Sequence, residues 1–289
     1  MSATNSQLDR NKAIVRSFKE SQGTKDQDAT MREIMSPDYK RTRGGLINLA
    51  DNAAGQGWPE PGLFLRTALP DRVDKIEDIA AEGEYVAMMW RLNATHTGNL
   101  FGIPPTGRTI DIYEVGFFRV VDGKIVEGWF MCDELALLIQ LERPMPKRKD
   151  GSIVAPHVSD EGDAPDARMA RFTSQGAGAG LPTQLRDYAE RSGVAQQDLA
   201  HALTDRSDRV ARVVTEGDKV WSRFNLRGTN TQSFYGLPPT GKRCVIAEVG
   251  IARAAGEDWA EPWYLADGLG ALLQLGALGI LEKLGCKPV

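Results

Sequence analysis

The sequence contains few of the residues that build disulfide frameworks or metal sites. Among its 289 residues there are three cysteines and three histidines. They are scattered along the chain and lack the short spacings typical of metal ligands. We therefore expect neither a bound metal nor a structural disulfide. The residues concerned are Cys132, Cys244, Cys286, His96, His157 and His201.

An excess of basic residues and a long hydrophobic run are also lacking. The chain has 35 Lys and Arg against 39 Asp and Glu, so it offers no basic surface for a phosphate backbone. Its most apolar stretch, residues 269–281, is interrupted by Gln274 and by glycines and is shorter than a bilayer span. Residues 2–10 are polar, without a signal-peptide pattern. We expect a cytoplasmic protein with no nucleic-acid or membrane partner.

A seven-residue motif occurs twice, at residues 102–108 and 236–242. The copies read Gly-Ile-Pro-Pro-Thr-Gly-Arg and Gly-Leu-Pro-Pro-Thr-Gly-Lys, 134 positions apart. The same offset, held without a gap, aligns residues 65–141 with residues 199–275. An ungapped match of this length indicates duplication of one domain.

A proline-rich segment separates the copies. Residues 144–166 hold four prolines, a charge cluster and few large apolar side chains, which is typical of a linker. We therefore predict one domain over residues 1–143 and a second over residues 167–289.

The two copies differ upstream of the shared segment. The first has an apolar helical pattern over residues 13–18, followed by residues 31–39. The second has a glycine-rich stretch at residues 176–180 and one helix candidate near residues 185–191. We expect the front half of the second domain to be eroded.

Within each copy, helices come first and strands follow. In the first copy, β-branched and aromatic residues predict strands over Tyr85–Thr95, Thr109–Val121 and Lys124–Cys132, with a hairpin turn at residues 122–123. A short helix, Glu134–Leu141, closes the unit. This order predicts an α+β fold in which helices on the concave side of a curved antiparallel sheet leave a conical pocket.

Alternation along the last strand places Trp129, Met131 and Asp133 on one face, together with Glu127. We expect this face to line the pocket, with apolar surroundings raising the pKa of Asp133. In the second copy, Trp263 and Asp267 occupy the corresponding positions. An alternative is that Asp133 and Asp267 are N-caps of the helices that follow them.

Other residues have both a functional and a structural interpretation. Glu114 and Glu248 lie in the middle of apolar strands, either as second acids in the pocket or as outward-facing or hydrogen-bonded structural residues. His96 is either a proton shuttle or a histidine that is exposed at the surface or hydrogen-bonded in the structure. Four aromatic residues are candidates for the core or for the pocket walls. They are Tyr39, Trp58, Trp90 and Tyr113.

An ordered set of motifs resembles the SnoaL-like polyketide cyclases of the nuclear transport factor 2-like superfamily. The motifs are His-x-Gly at residues 96–98, Phe-Gly-x-Pro-Pro-Thr-Gly at 101–107, Asp-Gly-Lys-Ile at 122–125, Asp133, and Gln-Leu at 140–141. They cover nearly all of the first copy and the back two-thirds of the second.

The resemblance implies a cone-shaped α+β barrel. It also implies cofactor-free intramolecular aldol cyclisation of a polyketide ester, with Asp133 as the acid/base and Asp267 as its counterpart. The chain departs from aromatic polyketide cyclases at Gly116 and Gly250, where those enzymes have a histidine. Asn230 also replaces His96 in the second copy.

Two kinds of function fit these observations. One is a cofactor-independent cyclase, isomerase or lyase acting on a small hydrophobic carbonyl compound, with the more complete first copy as the active domain. The other is a non-catalytic binding protein for a hydrophobic small molecule. The second copy is expected to serve as a built-in partner, giving an intramolecular pseudo-dimer, and a homodimer of the whole chain remains an alternative.

Overall fold

The computed structural model describes residues 3–53, 61–176, 179–194 and 199–287, and it shows two α+β domains in tandem. Within these ranges the first domain contains five helices and a five-stranded sheet of spatial order β1-β5-β4-β3-β2. Its helices are α1 (Ala3–Glu20), α2 (Gln27–Ile34), α3 (Ile47–Ala53), α4 (Pro61–Ala68) and α5 (Glu134–Leu141). Its strands are β1 (Met35–Arg43), β2 (Val73–Glu82), β3 (Tyr85–Thr95), β4 (Thr109–Val121) and β5 (Lys124–Cys132).

The second domain has a four-stranded sheet of order β6-β7-β8-β9. Its strands are β6 (Ser207–Glu216), β7 (Lys219–Thr229), β8 (Arg243–Ala255) and β9 (Asp258–Ala266). Its helices are α6 (Ala167–Gly176), α7 (Thr183–Ser192), α8 (Leu199–Ala202), α9 (Gly268–Leu275) and α10 (Ile280–Lys283).

Strand bounds and register repeat at the offset found in the sequence. Strands β2 to β5 correspond to β6 to β9 residue by residue, 134 positions apart. Even the pairing is preserved, since Met88 lies opposite Gly116 and Ser222 lies opposite Gly250. The predicted duplication and the predicted α+β fold are confirmed.

The first edge strand differs from the sequence prediction. The helical pattern over residues 31–39 continues only to Ile34, after which the chain becomes β1 and pairs in parallel with β5. Pro37 explains the change, because a residue that precedes a proline disfavours helical geometry. In the described part of the second domain, no strand pairs with β9 on the side where β1 pairs with β5.

The two faces of the first sheet have different neighbours. One face points towards helices α1 to α4, and the other packs against the sheet of the second domain. Phe117 of β4 lies edge-on to Trp221 of β7, with ring centroids 6.2 Å apart. The apolar residues at this junction come from both sheets. They are Ala80, Ala87, Val115, Phe117, Trp129, Met131, Val214, Trp221, Ala247, Val249, Ile251 and Leu265.

Residues 144–166 cross between the domains without helix or strand. They are nevertheless tied to the first domain, since Val154 N donates to Asn52 Oδ1 at 2.9 Å and the Arg148 guanidinium donates to the carbonyl of Asp51 at 2.8 Å. Among the described residues, no helix has the length and apolar character needed to span a membrane.

Candidate active site in the first-domain cavity

A cavity of about 690 Å³ opens between the concave face of the first sheet and helices α1 to α4. Its walls are mostly aliphatic and aromatic. They include Leu46, Ile47, Leu65, Leu69, Leu92, Leu100, Phe101, Ile110, Ile112 and Phe130. A pocket of this size and composition suits a small hydrophobic molecule. Of the predicted wall residues, Tyr39 and Trp90 line it.

Glu114 projects into this cavity from the middle of β4, opposite Cys132 of β5. Its Oε2 accepts a hydrogen bond of 3.1 Å from the indole Nε1 of Trp90. Its Oε1 accepts no hydrogen bond from the described residues, and it packs against the backbone of Gly45, where a Cβ atom would collide with it. Trp90 therefore anchors Oε2, whereas Oε1 is held in place only by its contact with Gly45 among the described residues.

Two cationic side chains lie beside Glu114. Lys19 Nζ and Arg72 Nη2 each lie 3.9 Å from its Oε2. Both cations are also paired with Asp74, at 3.0 Å from Lys19 and 2.9 Å from Arg72. Two cations and two carboxylates thus meet at the polar end of an otherwise apolar cavity.

Burial changes the proton affinities of this group. The pKa of Lys19 falls from 10.5 to about 8, first because burial disfavours its charge and second because Arg72 is a neighbouring cation. Burial also raises the pKa of the Cys132 thiol well above its usual value, and Glu114 adds to the rise. Cys132 therefore remains protonated at neutral pH and is a poor nucleophile.

The prediction that Trp129 and Met131 line the cavity is wrong. They do share one face of β5, but that face packs against the second domain. Their neighbours Phe130 and Cys132 face the cavity instead. Tyr113 is on the same outer face as Trp129, and its ring lies 5.5 Å from that of Trp263 across the junction.

Asp133 likewise does not line the cavity, contrary to the prediction. Its Oδ1 accepts a hydrogen bond of 2.9 Å from Ala136 N at the start of α5, which confirms the capping interpretation. Burial raises its pKa from 3.8 to about 7, and nearby Asp267 adds to the rise. The raised pKa that the sequence predicts is thus present, but at the junction between the domains.

Asp267 caps α9 in the same way and lies in a buried polar cluster. Arg43 Nη2 donates to its Oδ2 at 2.8 Å, and Asn48 Nδ2 donates to its Oδ1 at 2.8 Å. Glu134 belongs to the same cluster, accepting from the backbone N–H groups of Asn48 and Leu49 at 3.1 and 2.8 Å. Burial, followed by the charge of Asp267, raises the pKa of Glu134 to about 8.

His96 is fully buried outside the cavity lining, in the loop that carries the repeated motif. Its Nδ1 lies 3.0 Å from Thr106 Oγ1, and burial lowers its pKa. Asn230 has the corresponding role in the second domain, where its Oδ1 accepts hydrogen bonds from Thr240. Both residues hold a loop in place. Trp58 lies outside the described residues.

In the second domain, aromatic side chains occupy the concave face of the sheet. Phe172 of α6 packs against Trp259 and Tyr264, with ring centroids 5.0 and 5.4 Å away. A Cβ atom on Gly250 would meet Phe172. Glu248, the counterpart of Glu114, is fully buried and neither of its carboxylate oxygens has a hydrogen-bond partner among the described residues. Burial therefore raises its pKa well above the usual value.

The residues predicted from the sequence do not include Lys19, Arg72 and Asp74. A signal for two of them was present, because the sequence Asp-Arg-x-Asp at residues 71–74 recurs at residues 205–208. Lys19 has no comparable signal, since it comes from the divergent front helix. Within the described ranges, no group of three or more His, Cys, Asp or Glu side chains is arranged to hold a metal ion.

Comparison with known proteins identifies a family that matches parts of both domains of the chain. The family model of the SnoaL-like polyketide cyclases matches residues 64–141 and 183–275, which is more than half of the chain and includes part of both domains.

Two curated relatives are each 37% identical to the chain over 73 residues, a quarter of its length. They are the aklanonic acid methyl ester cyclases DauD of Streptomyces sp. (strain C5) and DnrD of Streptomyces peucetius. The matched segment spans 45% and 50% of the length of these relatives.

Among solved structures, wild-type IdmH from Streptomyces antibioticus is 25% identical, with a TM-score of 0.38 over 45% of this chain and 97% of that one. On the match to both of its domains, the chain belongs to the SnoaL-like polyketide cyclase family.

Proposed function

We propose that this chain is a cofactor-independent acid/base enzyme that cyclises a small, hydrophobic, polyketide-like carbonyl compound in the first-domain cavity. Glu114 is the acid/base in this proposal. The observation that carries it is the position of the Glu114 carboxylate, the acidic group among the described residues of the cavity wall, with Oε2 held by Trp90 and Oε1 without a hydrogen bond from those residues.

Glu114 is held in a fixed orientation. The Trp90 indole N–H fixes one oxygen, and the absence of a side chain at Gly45 leaves room for the other. A base held in this way needs no reorganisation when the substrate arrives, which favours proton transfer.

A carboxylate is a sufficient base for a carbon acid between two carbonyl groups. Glu114 removes a proton from that carbon, and the electron pair delocalises into the carbonyl as an enolate. The enolate carbon then forms a bond to a second carbonyl carbon of the same molecule. The oxygen of this second carbonyl then takes the proton back from Glu114, so the cyclised product contains the same atoms as the substrate.

Arg72 is placed to stabilise the negative oxygen of the enolate. Its guanidinium lines the cavity and is oriented by the carboxylate of Asp74, to which its Nε donates at 2.9 Å. A fixed donor in a buried site is worth more than the same donor in water, because the surrounding dielectric is low.

The names of the relatives indicate a test compound. Both are named as cyclases of aklanonic acid methyl ester, a polyketide ester. The aliphatic and aromatic lining of the cavity suits such a hydrophobic molecule.

The matched test compares Glu114→Gln with Glu248→Gln, which makes the same change at the corresponding position of the second domain. We expect the first variant to lose roughly 10²–10⁴-fold in kcat for cyclisation of aklanonic acid methyl ester, because proton transfer is lost. The second should retain wild-type turnover. Binding of this ester without turnover by the wild type would instead support a non-catalytic binding protein.

A further inference from the structure

Lys19 lies in the cavity wall, and the proposed proton transfer does not use it. It comes from α1, its side chain is only 4% exposed, and its Nζ lies 4.1 Å from the centroid of the Trp90 ring. A buried lysine at the polar end of a cavity for carbonyl compounds is in a position to react with a carbonyl carbon through its amine.

The amine has a carboxylate on each side. Asp74 Oδ2 lies 3.0 Å from Lys19 Nζ and orients it, while Glu114 Oε2 lies 3.9 Å away. Amine condensation with a ketone needs a proton donor for the departing hydroxyl group, and a carboxyl group within reach supplies it. Lys19 and Glu114 therefore form an amine–acid pair inside the cavity.

The protonation state of Lys19 also fits this chemistry. Its pKa of about 8 leaves a much larger neutral fraction near physiological pH than its ordinary value of 10.5 would, because burial and the neighbouring Arg72 disfavour the charge. A lysine that is desolvated or lies beside another cation is activated as a nucleophile in the same way.

We propose that Lys19 is a nucleophile that captures 1,3-dicarbonyl compounds covalently in the first-domain cavity, with Glu114 as its proton shuttle. The electron pair of the neutral Nζ amine forms a bond to one carbonyl carbon, and one proton moves from that nitrogen to the carbonyl oxygen through Glu114 to give a carbinolamine. The Glu114 carboxyl group then donates a proton to the departing hydroxyl group, so that one water molecule leaves and an iminium ion forms. The resulting Glu114 carboxylate takes the proton from the carbon between the carbonyls, which gives an enaminone and restores the carboxyl group.

This inference deepens the proposed function and rests on it for the substrate class. The enaminone carbon is the same carbon that the enolate mechanism uses, so covalent capture would activate it for the same ring closure. Capture itself requires no second carbonyl in reach and no turnover, so it is measurable separately.

The test uses 2,4-pentanedione as the probe with the full-length protein over a pH series. Enaminone formation is followed by near-ultraviolet absorbance, and the modified peptide is located by mass spectrometry. We expect one adduct per chain, on Lys19, with a mass increase of one pentanedione less one water. Its rate should be half-maximal near pH 8, the pKa of Lys19.

Lys75 is the internal comparison, because its side chain is 71% exposed. Lys75 also lies outside the cavity lining and has no apolar wall to hold the probe, so it should react much more slowly than Lys19. Lack of an adduct on Lys19, or labelling spread equally over Lys19 and Lys75, would overturn the proposal.

Lys19→Arg and Lys75→Arg provide a matched pair that retains positive charge. The first should abolish the adduct and the second should leave it unchanged. If wild type forms no adduct while Glu114→Gln still abolishes cyclisation, the covalent proposal fails and the acid/base proposal stands. If wild type forms the adduct on Lys19 but does not cyclise the ester, the covalent proposal stands and the acid/base proposal fails.

Discussion

Arg43 of the first domain and Asp267 of the second form a buried ion pair, with Nη2 of one 2.8 Å from Oδ2 of the other. Their side chains are 8% and 3% exposed. The guanidinium also donates to the backbone carbonyl of Phe130 at 2.7 Å. The catalytic aspartate position that the resemblance implies for the second domain is thus used to join the two domains.

Asp267→Asn should destabilise the protein strongly. The change leaves the Arg43 charge buried without its carboxylate, and removing one partner of a buried pair typically costs about 3–5 kcal/mol. Asparagine still caps a helix, so the loss should not come from α9. Denaturant unfolding should therefore show a large fall in the free energy of unfolding.

Asp133→Asn provides the contrast, because Asp133 has no cation as a hydrogen-bond partner among the described residues and its folded pKa is about 7 against 3.8 normally. Because the folded pKa of Asp133 is above its unfolded value, its contribution to the free energy of unfolding is fully present below about pH 4. This contribution is lost as the pH rises to 7. Asparagine does not ionise, so the free energy of unfolding of Asp133→Asn does not fall in this way. The variant should therefore become more stable relative to wild type as the pH rises between these values. An equal loss of stability in both aspartate variants would contradict this account of the junction.

Glu248→Met should raise the stability of the second domain. A buried polar group without a hydrogen-bond partner costs about 1–3 kcal/mol, and methionine replaces it with an apolar side chain of similar length. Because the folded pKa of Glu248 lies well above 4.5, the advantage of the variant should grow as pH rises above that value. Glu248→Gln retains a polar group and should gain much less in the same thermal unfolding assay.

Gly45→Ala should reduce turnover by moving the Glu114 carboxylate. The added Cβ would overlap Glu114 Oε1, and small misplacements of a reacting group cost roughly up to 100-fold. Gly44→Ala is the matched control, because a Cβ there has no neighbour within 4 Å. Equal kcat values for the two variants would show that the position of Oε1 is unimportant.

The sequence predicts much of the fold because the duplication and the strand signals are local. Strands β3, β4 and β5 and helix α5 begin and end where the sequence pattern predicts. The polar edge strand β1 was missed, since Met35–Arg43 has no apolar alternation and contains Pro37.

The site was harder to predict because both faces of the sheet are buried. Alternation shows that Trp129 and Met131 share a face, and that Phe130 and Cys132 share the other. All four are apolar, so the pattern cannot distinguish the cavity side from the domain junction. Lys19 reaches Glu114 through the packing of α1 on the sheet, a contact between residues far apart in the sequence.

The most direct test of the central claim is kcat for cyclisation of aklanonic acid methyl ester by Glu114→Gln and Asp133→Asn. Glu114 lines the cavity, whereas Asp133 caps α5 outside it. The account predicts a fall of roughly 10²–10⁴-fold for Glu114→Gln and turnover near wild type for Asp133→Asn. Loss of turnover in Asp133→Asn, with Glu114→Gln still active, would contradict it.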